Sequence, residues 1–144
     1  MKTKYKILIA KIISKFLIIF FSKNQIVFRN KVKWNLDLDE AIDLSIYLFG
    51  TFERKISNIK KLLSKRKDSL TIIDIGANIG SVSLLLAKTF ENSKIFAIEP
   101  TNYAFNKLSN NLNLNKDLNS KVFLKQFFIT NKKKPKKVWS SWNF

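Results

Sequence analysis

The chain has 144 residues, room for one domain, and 46% of them are hydrophobic, which favours a packed core over disorder. Cysteine and histidine are both absent, so disulfides, thiol nucleophiles, zinc fingers and a histidine general base are excluded within the chain. The net charge of +17 is carried almost entirely by lysine. Arginine, which suits bidentate recognition of bases and phosphates, is scarce, so we expect no specific nucleic-acid partner.

The N-terminal segment predicts a basic amphipathic helix. Ile7–Phe21 is a largely apolar run interrupted by Lys11 and Lys15, and Lys4, Lys11 and Lys15 fall on one helical stripe. The opposite face is apolar and carries Ile9, Ile12, Ile13, Phe16, Ile19 and Phe20. Central lysines disfavour a membrane span. Two interpretations stay open: a helix lying in a membrane interface through residues 4–21, and a helix docked on the domain or on a partner.

A small antiparallel hairpin is predicted over Gln25–Leu36. Val32, Trp34 and Leu36 alternate with polar residues, which is typical of a strand with one buried face. The turn is predicted at Arg29-Asn30.

Two helices are predicted to follow the hairpin. The first covers Leu38–Phe49 and ends at Gly50, with Asp37 or Asp39 as its cap. The second covers Glu53–Ser64 and precedes a solvated basic linker. Its inward residues are expected to be Ile56, Ile59 and Leu63.

Four acids cluster near the start of the first of these helices: Asp37, Asp39, Glu40 and Asp43. They are compatible with a metal site or with a charged first turn stabilised by the helix dipole. The second interpretation is favoured, and no metal is expected.

The centre of the chain predicts a strand, a glycine loop and a helix. Thr71–Ile75 is a β-branched run of the kind that is buried on both faces of a sheet, and Ser81–Phe90 has helical spacing of apolar residues. Gly76 and Gly80 fall where the backbone must bend. In such a unit, free loop N–H groups and the positive end of the helix are expected to face a ligand.

A second strand, Lys94–Ile98, ends in an acid, Glu99. A carboxylate at this position can accept hydrogen bonds from both hydroxyls of a ribose. The middle glycine of dinucleotide loops is replaced here by Asn78, which favours a ligand with one ribose and no phosphate. S-adenosylmethionine is the commonest such cofactor. The alternative is a pair of glycines needed for packing alone.

Pro100 precedes a predicted helix over Thr101–Leu114, and a third strand is predicted over Lys121–Leu124 with an extension through Ile129. The residues predicted to be buried in this helix are Ala104, Phe105, Leu108 and Leu112. Because ligands sit beyond the carboxyl ends of parallel strands, Gln126 is expected to border the same crevice as the glycine loop.

Four segments resemble FkbM-type S-adenosylmethionine-dependent methyltransferases: Ile46–Glu53, Asp74–Gly80, Ala97–Pro100 and Ala104–Leu108. The resemblance covers roughly residues 36–130. It implies a cofactor site formed by Glu53, Asp74, Gly76, Ala77, Asn78, Gly80, Glu99 and Gln126. By this resemblance Asp74 orders the loop, Glu99 takes the ribose, and Gln126 lies near the adenine.

The resemblance implies methylation of a small-molecule or sugar hydroxyl, with no catalytic residue assigned. We expect a cytoplasmic protein with peripheral membrane contact. The alternative is a non-catalytic remnant, or a basic scaffold associated with a membrane or with nucleic acid.

The domain organisation expected is a helix over residues 1–23, a lead-in over 24–70, and a Rossmann-like class I methyltransferase sheet over 71–144. Three parallel strands are fewer than such a domain needs, and residues 138–144 end in aromatic side chains. We therefore expect a fragment, with self-association through an uncovered sheet edge.

Overall fold

The computed structural model describes residues 3–53, 56–63 and 69–131. The chain divides into two compact units, Met1–Arg54 and Lys55–Phe144. Much of the predicted basic linker, and residues 138–144 with their aromatic side chains, lie outside the described residues. Within the described ranges, no helix is long and apolar enough to cross a membrane.

The first unit contains two helices and one antiparallel hairpin: α1 (Thr3–Phe20), β1 (Asn24–Arg29), β2 (Val32–Asp37) and α2 (Ala41–Phe49). The predicted hairpin is confirmed, and Val32, Trp34 and Leu36 are fully buried on one face. The turn lies at Asn30-Lys31, one residue later than predicted. Both turn residues have positive φ, 50° and 65°, the geometry that follows the natural twist of two paired strands.

Helix α2 begins three residues later than predicted. Glu40 precedes it in extended conformation, and the expected caps are wrong because no side chain caps this end. Asp43 instead accepts a hydrogen bond from the N–H of Asp37 at 2.7 Å, which ties the helix to the end of β2. Gly50 ends the helix as predicted, with φ of 77° and its N–H donated to the carbonyl of Ile46.

The second unit alternates strands with helices: α3 (Ile56–Leu63), β3 (Leu70–Ile75), α4 (Ser83–Thr89), β4 (Ser93–Ile98), α5 (Asn102–Asn113), a short 3₁₀ helix (Lys116–Leu118) and β5 (Val122–Lys125). The strands are parallel in the order β3-β4-β5. This arrangement confirms the predicted α/β, Rossmann-like class, with α4 and α5 as the connections between neighbouring strands.

Several details of the second unit differ from the prediction. Strand β3 is not buried on both faces, because Ile73 and Ile75 are 62% and 66% exposed on the face opposite to Ile72. Within the described residues β3 pairs with β4 alone, so it forms an edge of the sheet. Strand β5 ends at Lys125 and does not extend to Ile129.

Helices α4 and α5 are shorter than predicted. In α3, Ile59 is 40% exposed rather than turned inward. In α5 the buried positions are Ala104, Leu108, Asn111 and Leu112, whereas the predicted Phe105 is half-buried.

Candidate functional site

The carboxyl ends of the three parallel strands meet at one edge of the sheet, and predicted site residues follow each of them. Gly76 follows β3, Glu99 follows β4 and Gln126 follows β5. Main-chain hydrogen bonds join these ends, because the N–H of Gly76 donates to Ile98 at 2.9 Å and that of Glu99 donates to Lys125 at 3.0 Å. The structure therefore brings together the glycine loop, the acid and the start of the segment after β5.

The glycine loop is closed by its own hydrogen bonds. The N–H groups of Gly76 and Ala77 both donate to the carbonyl of Ile98, at 2.9 and 3.0 Å. The N–H of Asn78 donates to the Glu99 carboxylate at 3.0 Å. The next two N–H groups are satisfied within the loop, by the Asn78 side chain and by the carbonyl of Ala77.

The expectation of free loop N–H groups is therefore wrong, because all five N–H groups from Gly76 to Gly80 have a partner inside the chain. A phosphate cradle requires several such groups to point at the ligand. The loop from Gly76 to Gly80 offers none, and helix α4 starts only at Ser83. This loop is built to bend the chain rather than to hold an anion.

The two loop glycines are required for different reasons. Both have positive φ, 79° at Gly76 and 93° at Gly80. A Cβ at Gly76 would meet nothing within 4 Å, so open space lies in front of this residue. A Cβ at Gly80 would lie 2.6 Å from Cδ1 of Leu108, so α5 occupies that space. Gly76 is thus accessible to a ligand, whereas Gly80 permits close packing of α5.

Glu99 is 6% exposed, and its carboxylate accepts three hydrogen bonds. Its Oε2 accepts from the Asn78 N–H at 3.0 Å, and its Oε1 accepts from the Thr101 N–H at 2.9 Å and from the Thr101 hydroxyl at 2.6 Å. A carboxylate has about four acceptor positions, so about one remains. The same side chain that is predicted to bind a ribose therefore also fixes the loop after β3 and the start of α5.

Two further contacts hold the loop, through Ser83 and Asn111, which the sequence did not indicate as site residues. The Ser83 hydroxyl donates to Asp74 Oδ2 at 2.6 Å, which ties the end of β3 to α4. Asn111 is fully buried and donates to the carbonyl of Ile79 at 3.0 Å. Asparagine is abundant in this part of the sequence, so composition gave no signal for Asn111. Its position one helical turn after Leu108 was the only indication.

The remaining predicted site residues differ in their placement. Ala77, within the loop, is 3% exposed. Gln126 is exposed just beyond β5, where its amide donates to the side chain of Asn102 at the start of α5. Glu53 belongs to the first unit, where its carbonyl accepts a hydrogen bond from the Thr51 hydroxyl at 3.3 Å. The roles of these residues in ligand binding stay predictions.

Solved structures with a similar fold include TYW2 of M. jannaschii in complex with AdoMet. Its TM-score is 0.53, with 21% identity over 74% of this chain and 44% of that chain. TYW2 of P. horikoshii in complex with MeSAdo has a TM-score of 0.51, with 23% identity over 74% of this chain and 37% of that chain. This likeness establishes the Rossmann-like fold, and the chain spans less than half the length of either structure. No protein-family model matches the sequence, and no curated protein matches it significantly.

Proposed function

We propose that the second unit binds S-adenosylmethionine at the ends of β3 and β4, and that the chain belongs to a methyltransferase. The observation that carries this proposal is the loop at Gly76–Gly80, closed on itself and fastened to a nearly buried Glu99. The TYW2 structures of similar fold, in complex with AdoMet and MeSAdo, support the same class of ligand.

The residues at this edge fit the adenosine part of such a cofactor. The remaining acceptor position of Glu99 suits one ribose hydroxyl. A second becomes available when the Thr101 hydroxyl, which can rotate, gives up its bond to Oε1. The open space in front of Gly76 accommodates atoms close to the main chain.

The closed loop also discriminates between nucleotide classes. With no free N–H group between Gly76 and Gly80, a pyrophosphate would lose its hydration without gaining donors. A ligand that lacks phosphate loses nothing in the same place. We therefore expect S-adenosylhomocysteine to bind more tightly than adenosine diphosphate.

The reaction we propose is methylation of a small-molecule or sugar hydroxyl, as in the FkbM family that the sequence resembles. When bound, S-adenosylmethionine supplies an activated methyl group, and Gly76, Asn78 and Glu99 of this chain hold and orient it. Orientation alone contributes substantially to such transfers, because it replaces a bimolecular encounter by a fixed approach.

For partners, we propose the acceptor molecule and a second copy of the chain, paired through the edge strand β3. We propose that the protein is cytoplasmic. We also propose three parts of the chain: an N-terminal helix over residues 1–23, a lead-in over 24–70 and the cofactor-binding sheet over 71–144.

The test is calorimetry of the full chain with S-adenosylhomocysteine. Glu99→Gln should abolish micromolar binding, because an amide can accept at only one of its two terminal atoms and would direct its NH₂ at the donors that now face the carboxylate. Glu91→Gln is the matched control, since it removes an equally negative, exposed carboxylate outside the site.

Binding by the wild type and the Glu91 variant, with loss in a Glu99 variant that still melts cooperatively, supports the proposal. No binding by a cooperatively folded wild-type chain overturns it. Equal affinity for S-adenosylhomocysteine and adenosine diphosphate overturns the argument from the closed loop.

A further inference from the structure

Helix α1 presents a broad apolar face to solvent. It lies on the first unit through a narrow face, where Ser14 is 4% exposed and Ala10, Leu17 and Ile18 are half-buried. The Ser14 hydroxyl donates to Asp39 at 3.5 Å across this contact. The opposite face exposes Tyr5, Leu8, Ile9, Ile12, Phe16, Ile19 and Phe20. Because the helix is already docked through this narrow face, burial within this unit does not account for the exposed residues.

Positive charge borders this apolar face. Lys11 and Lys15 are exposed one turn apart, and residues 3–20 contain no acidic residue. Both lysines also line a cavity of about 450 Å³ between α1 and α2, together with Asp39 and Leu44. Asp39 is itself within 3.7 Å of the Lys23 ammonium, which offsets its charge. The border of the apolar face therefore carries net positive charge.

We infer that the first unit docks on an anionic bilayer surface through α1. The exposed apolar face would enter the boundary between headgroups and acyl chains, and Lys11 and Lys15 would meet lipid phosphates at its margin. An apolar face bordered by lysines complements a bilayer surface, which has apolar acyl chains beneath anionic headgroups. An apolar protein surface would match the exposed face but not the lysines that border it. The helix lies on the membrane in this proposal and does not cross it.

The test is co-sedimentation of the full chain with vesicles of phosphatidylcholine mixed with a third of phosphatidylglycerol. The double variant Ile12→Gln, Phe16→Gln should weaken binding by about tenfold or more, since two large side chains no longer leave water. Ile12 and Phe16 are 60% and 61% exposed, so we expect the double variant to fold with unchanged stability. The matched control is Ile26→Gln, Phe28→Gln on the outer face of β1, where the side chains are 67% and 61% exposed.

A second pair of variants tests the charge. Lys11→Gln, Lys15→Gln should weaken binding to the anionic vesicles by about fivefold for each lysine, and added salt should reduce the difference. Lys94→Gln, Lys125→Gln removes the same charge from exposed positions of the second unit and should have little effect.

Three outcomes would overturn the inference. The first is equal binding to vesicles of phosphatidylcholine alone. The second is equal loss in the apolar variant and in its β1 control. The third is a wild-type chain that light scattering shows to be a dimer, that does not bind vesicles, and that becomes a monomer in the Ile12, Phe16 variant. The apolar face would then be covered by a second copy of the chain.

Discussion

Adding a methyl group at each of the two loop glycines tests the division of roles between them. Alanine at Gly76 or Gly80 must adopt positive φ, which costs about 1–2 kcal/mol, partly offset by about 0.4–1 kcal/mol from the lower entropy of the unfolded chain. At Gly76 nothing else opposes the new Cβ. At Gly80 the Cβ would lie 2.6 Å from Leu108 and 3.2 Å from Leu84, which adds about 1–3 kcal/mol of overpacking.

We therefore expect Gly76→Ala to destabilise the second unit by about 1 kcal/mol and Gly80→Ala by about 2–4 kcal/mol. Urea unfolding followed by circular dichroism measures both. Combining Gly80→Ala with Leu108→Ala should cost less than the sum of the two single changes, because the second change removes the atom that the new methyl group meets. Equal destabilisation at Gly76 and Gly80, or strict additivity in the double variant, would refute the steric argument.

Three further changes probe other contacts. Thr101→Val removes the hydroxyl that donates to Glu99 while keeping the main-chain donor. S-adenosylhomocysteine should then bind more tightly, by up to about tenfold in calorimetry. Weaker binding would contradict the idea that the Thr101 hydroxyl and the ribose compete for the Glu99 carboxylate. The Lys88 ammonium lies 2.6 Å from the Asp117 carboxylate and lowers the pKa of that carboxyl from its ordinary 3.8. The ion pair therefore stabilises the fold fully above pH 3.8. Its contribution is lost as the pH falls through the lower pKa of the folded state. Because Asp117 is 60% exposed, Asp117→Asn should lower the free energy of unfolding by only about 0.2–1 kcal/mol at neutral pH. If urea unfolding shows the same loss of stability in strong acid, the ion pair is not its cause. Ile73→Lys on the exposed face of β3 should reduce concentration-dependent association in sedimentation velocity, and a wild-type chain that stays monomeric at high concentration would remove the proposed self-association.

The elements around the glycine loop were predictable because their signals are local. A β-branched run, a pair of glycines and an acid at the end of the next strand place β3, β4 and Glu99 within a residue or so of their observed positions. Apolar spacing likewise placed α5 and its buried Ala104, Leu108 and Leu112. Each of these features depends on periodicity or on a backbone geometry that few residue types adopt.

Other features depend on contacts between segments that are distant in sequence. Helix α2 starts late because Asp43 binds the main chain of Asp37 instead of leaving Asp37 or Asp39 to act as a cap. Three of the five N–H groups of the glycine loop are not free because Ile98 and Glu99, about 20 residues further on, accept them. Propensity and spacing contain no information about which donor meets which acceptor, so these features had to be observed.

The double use of Glu99 affects how a loss of binding in its variants should be interpreted. Its carboxylate accepts the N–H of Asn78 and two groups of Thr101, so removing it loosens the loop and the start of α5 as well as the proposed ribose site. Asn111→Ala separates the two effects, because it frees the Ile79 carbonyl and weakens the same loop without touching Glu99. A variant at Asn111 that loses stability but binds S-adenosylhomocysteine, beside a Glu99→Gln variant of similar stability that does not bind it, would assign the affinity to the carboxylate itself. Parallel losses of stability and affinity in both variants would mean that an ordered loop, rather than an acceptor for ribose, is what Glu99 contributes.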